Sequence, residues 1–168
     1  MNMYINSVIL KLHKILKQLK SKDINNKNIN HMSEKSSNYL WLFDPGHGGI
    51  IDGVYQTAGK RSPKWEDGTQ LFEGEFNRSI VKRLIKLCKN NNIECINLVD
   101  TEEDISLRKR TDKANDIWRK QYDKGEKPCI YVSVHANGFS KESAHGWSVY
   151  TSIGETKSDK IAEILAEK

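Results

Sequence analysis

YLWLFDPGHGG, residues 39–49, decides the fold class. Its first residues are almost continuously apolar, as in a strand buried on both faces of a parallel sheet, and Pro45 and Gly46 then end the strand. Apolar runs recur at residues 93–99 and 129–135, and residues 75–89 and 105–122 between them show helical spacing. This alternation predicts an α/β domain with a mainly parallel, twisted sheet and helices on both faces.

The remainder of the chain extends this pattern. HGWSVYTS, residues 145–152, alternates apolar and polar side chains and is predicted to be a fourth strand. Ser158 is predicted to cap a last helix over residues 159–168. The helix over residues 105–122 is predicted to turn four residues inward: Leu107, Ala114, Ile117 and Trp118.

The N-terminal segment differs from the rest in charge. YINSVILKLHKILKQL, residues 4–19, predicts a basic amphipathic helix, and a polar, Asn-rich linker follows. Residues 1–38 hold seven lysines and two acidic residues, which accounts for the whole net charge of +5. We therefore expect a leader over residues 1–38, a neutral domain over residues 39–168, and no nucleic-acid partner. The leader is either a mobile appendage or a weak membrane-surface helix, and Met32 offers an alternative start of the protein.

Size and composition indicate a single soluble domain. The 168 residues are 37% hydrophobic and 29% charged, and no stretch approaches the roughly 20 apolar residues of a membrane-spanning helix. Three cysteines, with no Cys-x-x-Cys pair, argue against a disulfide framework or a cysteine metal site. The leader does not have the order of a secretory signal, so we expect synthesis in the cytoplasm without a signal peptide. We also expect the protein to be a monomer.

Two histidines follow two of the predicted strands. His47 lies in the Gly-rich turn DPGHGG and His135 ends SVHAN. Because the carboxyl ends of parallel strands meet at one edge of a sheet, a catalytic metal site with a third His or carboxylate ligand is expected there. Glu73 is preferred, since the long loop after the first strand leads into a helix at that point, and Glu75 is the nearest competitor. The other candidates are Asp44, Asp52, Glu66, Asp67 and His145.

Four motifs in order resemble one family. DPGHGG, LFEGEFN at residues 71–77, LRKRTDKAN at residues 107–115 and SVHAN at residues 133–137 together are similar to the zinc-dependent N-acetylmuramoyl-L-alanine amidases of bacterial cell-wall remodelling and phage lysis. The resemblance implies one zinc ion per chain, bound by His47, Glu73 and His135. It also implies supporting roles for Asp44, Asn77 and Arg110, although helix-end hydrogen bonding and surface charge explain the last two equally well.

The resemblance also implies the reaction, which is hydrolysis of the amide between N-acetylmuramic acid and L-alanine in peptidoglycan. In the family a late glutamate transfers the proton of the attacking water to the leaving amine. No matching segment precedes Lys168, so we expect the catalytic domain to be incomplete and weakly active. Glu75, Asp52 and Glu142 are candidate substitutes for this glutamate. The alternative is a silent peptidoglycan-binding module that keeps the zinc site, and a zinc exopeptidase is disfavoured. An endolysin, or a lytic enzyme freed from a mother cell, fits best. Trp65 in the long loop could stack on sugar or peptide, with packing as the preferred interpretation.

Overall fold

The computed structural model describes two segments of the chain, residues 37–137 and residues 146–166. The first contains strands β1 (Leu40–Pro45), β2 (Ile50–Ile51), β3 (Val54–Tyr55), β4 (Cys95–Asn97) and β5 (Cys129–Val134), with helices α1 (Glu73–Asn90) and α2 (Leu107–Asp123). The second contains helix α3 (Lys157–Ala166). The predicted N-terminal helix and His145 lie outside the described residues.

The central sheet is parallel, with strand order β4-β1-β5. Every residue of β1 is buried, as expected for the middle strand of a sheet that is covered on both faces. Asp44 is paired with Ser133 and Pro45 with Val134, so β1 and β5 end side by side. This register brings the turns that carry His47 and His135 to the same edge, and the predicted α/β class is confirmed.

The two helices cover opposite faces of β1. Leu40 and Leu42 pack in one cluster with Ala114 of α2. Because successive strand residues alternate in direction, Trp41 and Phe43 point to the other face, where α1 packs on β1 and β4. Full burial of side chains of this size contributes about 1.5–3 kcal/mol each. The sheet is therefore a stiff support for the loops at its carboxyl edge.

Helix α1 follows its amphipathic pattern closely. Ile80, Leu84 and Cys88 recur at four-residue spacing and are buried, while the lysines and Arg83 between them are exposed. Glu73 and Glu75 occupy its first turn, where carboxylates interact favourably with the helix dipole. The helix thus begins with Glu73, two residues earlier than its pattern predicted.

Helix α2 is more exposed than its sequence predicted. Ser106 caps it by accepting a hydrogen bond from the Lys109 N–H at 3.4 Å, and Ala114 is buried against the sheet. Leu107 and Trp118, predicted to turn inward, are 72% and 47% exposed. Both predictions were wrong because Leu107 lies in the first turn, clear of the sheet, and Trp118 stacks on Tyr122 at the helix surface.

Residues 146–166 contain a helix and, within that range, no strand. The strand predicted over residues 145–152 is therefore wrong for its described part, since Trp147, Val149 and Tyr150 are all exposed. The last helix is confirmed, but its start differs from the Ser158 cap, because the Asp159 carboxylate accepts a hydrogen bond from the Thr156 N–H at 2.6 Å. Among the described residues, no helix is both long and apolar enough to cross a bilayer.

Candidate metal centre

Three side chains meet at the carboxyl edge of the sheet. His47 follows β1, His135 follows β5, and Glu73 is the first residue of α1. The Glu73 Oε1 atom lies 3.2 Å from His47 Nε2 and 3.2 Å from His135 Nδ1. The two imidazoles stand edge to face, with centroids 4.9 Å apart. Each residue offers one donor atom, and all three atoms lie within 4.8 Å of one another, so the cluster could hold a metal ion.

The donor set suits zinc in both chemistry and spacing. Two imidazoles and one carboxylate are among the known three-ligand sets of catalytic zinc, which leave a fourth position open. Ligand atoms about 2.1 Å from a tetrahedral zinc ion lie about 3.4 Å from one another. The observed separations of 3.2 Å are close to that edge length. The two separations to Glu73 therefore fit the ion, and the third pair, the two histidine nitrogens, lies within 4.8 Å.

Glu73 is held once at its carboxylate and once at its backbone. Its Oε1 atom accepts a hydrogen bond from the Ala136 N–H at 3.1 Å, which ties α1 to the turn after β5. The Glu73 N–H donates to the carbonyl of Lys60 at 2.9 Å, which ties the start of α1 to the long loop. A carboxylate fixed in this way is held near both histidines in one side-chain conformation.

His47 has a left-handed backbone conformation, with φ of 67°. Such a conformation costs energy for a residue other than glycine and persists only where its surroundings fix it. The His47 carbonyl accepts hydrogen bonds from Arg78 Nη1 of α1 at 2.8 Å and from Arg110 Nη2 of α2 at 3.1 Å. Two guanidinium groups from two helices thus stabilise the turn that presents the imidazole.

Asp44 binds Arg110 and two β5 side chains. Its Oδ1 atom accepts from Arg110 Nη1 at 2.6 Å, and its Oδ2 atom accepts from the Tyr131 hydroxyl at 2.6 Å and the Ser133 hydroxyl at 3.1 Å. The same Arg110 atom donates to the Pro45 carbonyl at 2.6 Å. The structure therefore connects Asp44 to the Gly-rich turn through Arg110, which is buried; its interpretation as surface charge was wrong.

Asn77 supports the same turn from α1. It is completely buried, and its Nδ2 atom donates to the Gly46 carbonyl at 3.1 Å. On the other side of His47, the Gly48 N–H donates to the Thr57 hydroxyl at 2.7 Å, and that hydroxyl donates to Asp104 at 2.7 Å. Most polar groups of the turn thus have identified partners, which is required of a buried loop.

The other candidate carboxylates lie outside the three-residue cluster. Glu75 is exposed, and its Oε1 atom accepts from the Ile50 N–H at 3.0 Å, so it fixes strand β2. Asp52 occupies the turn between β2 and β3 with φ of 49°. Glu66 and Asp67 are exposed in the long loop. Glu142 and His145 belong to residues 138–145, which are not among the described residues.

Sequence reasoning missed Arg78, Thr57, Tyr131 and Asp104 as parts of this region. Arg78 is buried and also donates to the Thr101 carbonyl from Nε at 3.2 Å and Nη2 at 2.8 Å. The Gly-rich turn could have indicated that such donors exist, because a loop at a buried strand end has backbone carbonyls that need hydrogen-bond donors. The motifs indicated Arg110 as one donor but did not indicate Arg78.

The electrostatics of the cluster favour a neutral imidazole at His47. Burial lowers the pKa of His47, and the charges of His135 and Lys60 act in the same direction, while Glu73 and Asp104 oppose them. A metal binds the deprotonated imidazole, so a lowered pKa reduces competition from protons. The direction of this shift is consistent with a ligand role.

Comparison with known proteins agrees with the geometry. A family model described as N-acetylmuramoyl-L-alanine amidase matches residues 42–168. The chain belongs to this amidase family. No curated protein matched the chain. Amidases of this family act on peptidoglycan, and the matched range includes His47, Glu73 and His135.

Proposed function

We propose that this member of the amidase family hydrolyses the amide between N-acetylmuramic acid and L-alanine in peptidoglycan, with one zinc ion held by His47, Glu73 and His135. The observation that carries the proposal is the convergence of two imidazole nitrogens on one Glu73 oxygen, 3.2 Å from each. The family match supports the substrate class. The site of action is therefore the cell wall.

The residues of the chain have separable tasks in this proposal. A bound zinc ion supplies Lewis acidity and lowers the pKa of a water molecule in its open position. His47, Glu73 and His135 hold the ion at the sheet edge. Asp44, Asn77 and Arg110 support the turn, because each is linked by hydrogen bonds to that turn or to a residue that binds it.

One observation favours a second candidate function, that of a silent peptidoglycan-binding module. Among the described residues, Glu73 is the one carboxylate in the cluster, and the nearby Glu75 is hydrogen-bonded to the backbone of β2. Proton transfer by a positioned carboxylate contributes typically 10²-fold to 10⁴-fold to such reactions. A chain that binds zinc without such a group would bind cell walls and cleave them slowly.

Metal analysis and wall digestion together test the proposal. We expect one zinc per chain in the wild type and in Glu66→Ala, an exposed loop carboxylate that serves as control. His47→Ala, Glu73→Ala and His135→Ala should each retain less than a tenth of the zinc after dialysis. Release of new amine groups from purified cell walls should fall in parallel. Full zinc occupancy in Glu73→Ala would refute the ligand assignment, and zinc binding with no amine release would favour the binding module.

A further inference from the structure

The long loop between β3 and α1 forms an ordered hairpin over residues 61–72, here called the arm. Arg61 and Phe72 form an antiparallel bridge, and the Ser62 N–H donates to the Leu71 carbonyl at 2.9 Å. At the tip, the Trp65 N–H donates to the Thr69 carbonyl at 2.9 Å, and the Gly68 N–H donates to the Trp65 carbonyl at 2.9 Å. Ordering such a segment costs conformational entropy, and none of its residues is part of the buried core.

The base of the arm is fixed beside the metal centre. The Lys60 carbonyl accepts from the N–H of Glu73 at 2.9 Å and from the hydroxyl of Tyr55 at 2.9 Å. The Tyr55 ring packs on Phe72 with centroids 4.8 Å apart, and the Arg61 guanidinium lies about 6 Å from both ring centres. These contacts make the arm a rigid extension of the backbone that carries Glu73.

Trp65 is placed at the tip of this arm and is 46% exposed. The expectation from sequence that it serves packing does not explain why a large aromatic surface is presented to solvent on a hydrogen-bonded hairpin. Trp65 is the fourth residue after Arg61, so a fully extended chain would place it at most about 14 Å from the arm's base. This distance is comparable to the length of a short oligosaccharide.

We propose that the arm is a glycan-binding subsite, in which the Trp65 indole stacks on an N-acetylated hexosamine ring of the peptidoglycan strand. The proposal rests on the proposed function, because an amide of N-acetylmuramic acid places a sugar ring only a few bonds from the carbonyl under attack. Pyranose rings present an apolar C–H face, and an indole offers a flat amphipathic surface that loses little conformational freedom on binding. The Trp65 N–H and carbonyl are both hydrogen-bonded within the hairpin, so this residue presents its indole, and not its backbone, to a ligand.

Trp118 provides a matched control for this subsite. It is 47% exposed, almost the same as Trp65, but it lies on α2 and stacks on Tyr122. The two tryptophans therefore offer similar accessible surface in different places. A non-specific effect of an exposed indole would be removed equally by either substitution.

The test measures binding of the β-1,4-linked tetramer of N-acetylglucosamine, which contains no peptide amide, by titration calorimetry with the full chain. We expect Trp65→Ala to weaken binding at least tenfold, Trp65→Phe to restore part of it, and Trp118→Ala to leave it unchanged. His135→Ala should also leave it unchanged, so loss of zinc or hydrolysis is separable from loss of the subsite. Wild-type protein that does not bind the tetramer, equal binding by Trp65→Ala, or an equal loss in Trp118→Ala would each overturn the proposal.

Discussion

Replacing Gly46 by alanine should disable the metal centre without touching a ligand residue. A Cβ atom at Gly46 would lie 2.2 Å from Cε1, 2.5 Å from Nε2 and 2.6 Å from Nδ1 of His135. The backbone cannot easily retreat, because the Gly46 N–H donates to Val134 and its carbonyl accepts from Asn77. The imidazole is the movable partner. We therefore expect the His135 ring to swing away and its Nδ1 atom to lose its place near Glu73.

Gly46→Ala should reduce the affinity for zinc much more than it reduces the free energy of unfolding. Changes to groups that merely support metal ligands typically cost 10-fold to 100-fold in affinity. Displacing one of three ligands should exceed this range, so zinc affinity should fall at least about 100-fold, or close to 3 kcal/mol. His135 is about half exposed, so its ring can move into solvent. The metal-free protein should thus lose less than about 1 kcal/mol of unfolding free energy.

Competition with a chromophoric chelator measures the affinity, and urea unfolding in excess chelator measures the stability of the apoprotein. His135→Ala should lose zinc affinity to the same extent, and adding Gly46→Ala to it should cost nothing further, because both changes remove the same ligand. The steric reasoning is refuted if Gly46→Ala binds zinc within threefold of the wild type. A stability loss of several kcal/mol would instead mean that the backbone yields before the ring.

Two further predictions concern the network around the turn. Arg78→Met should lower the unfolding free energy by about 1–3 kcal/mol in urea titrations, because it removes a buried guanidinium that donates to the Thr101 carbonyl and is one of two donors to the His47 carbonyl. Arg83→Met, at an exposed position of the same helix, should change the unfolding free energy by less than about 0.5 kcal/mol. Equal effects of the two substitutions would contradict the assigned contacts. Tyr131 is 41% exposed, but desolvation of its hydroxyl and the hydrogen bond to Asp44 raise its pKa well above the usual range. Its contribution to stability is therefore complete below pH 10 and declines as the pH rises above 10. Tyr131→Phe should therefore lose less stability than the wild type between pH 9 and 11, whereas the exposed Tyr122→Phe should follow the wild type.

The parallel α/β sheet and the meeting of the two histidines could be predicted because both follow from local patterns and one general rule. A continuously apolar run such as β1 indicates burial on both faces, and parallel strands bring their carboxyl ends to one edge. His47 and His135 could then be placed together before any coordinates were known. The further rule that the helix after a parallel strand begins at the same edge favoured Glu73 but left Glu75 as a competitor, and the family resemblance pointed to Glu73.

The parts that sequence did not reveal depend on tertiary context. The alternation in residues 145–152 predicts a strand, but a strand also needs a partner edge, and no local pattern encodes that. Arg78 and Arg110 look like surface charges on amphipathic helices, and their burial follows from carbonyls contributed by a distant turn. Trp118 was expected inside because it is large and apolar, yet a neighbouring Tyr122 on the same helix surface is enough to accommodate it.

The shared carbonyl of His47 has a consequence for redesign of this fold. Arg78 and Arg110 donate to this carbonyl from helices on opposite faces of the sheet. Both hydrogen bonds to one oxygen atom therefore depend on the positions of the two helices. Sliding either helix by one turn, lengthening the loop before it, or grafting it from another protein would withdraw a donor and let the strained residue relax. The two layers of this domain therefore cannot be exchanged as independent modules, even though neither helix supplies the imidazole that they jointly orient.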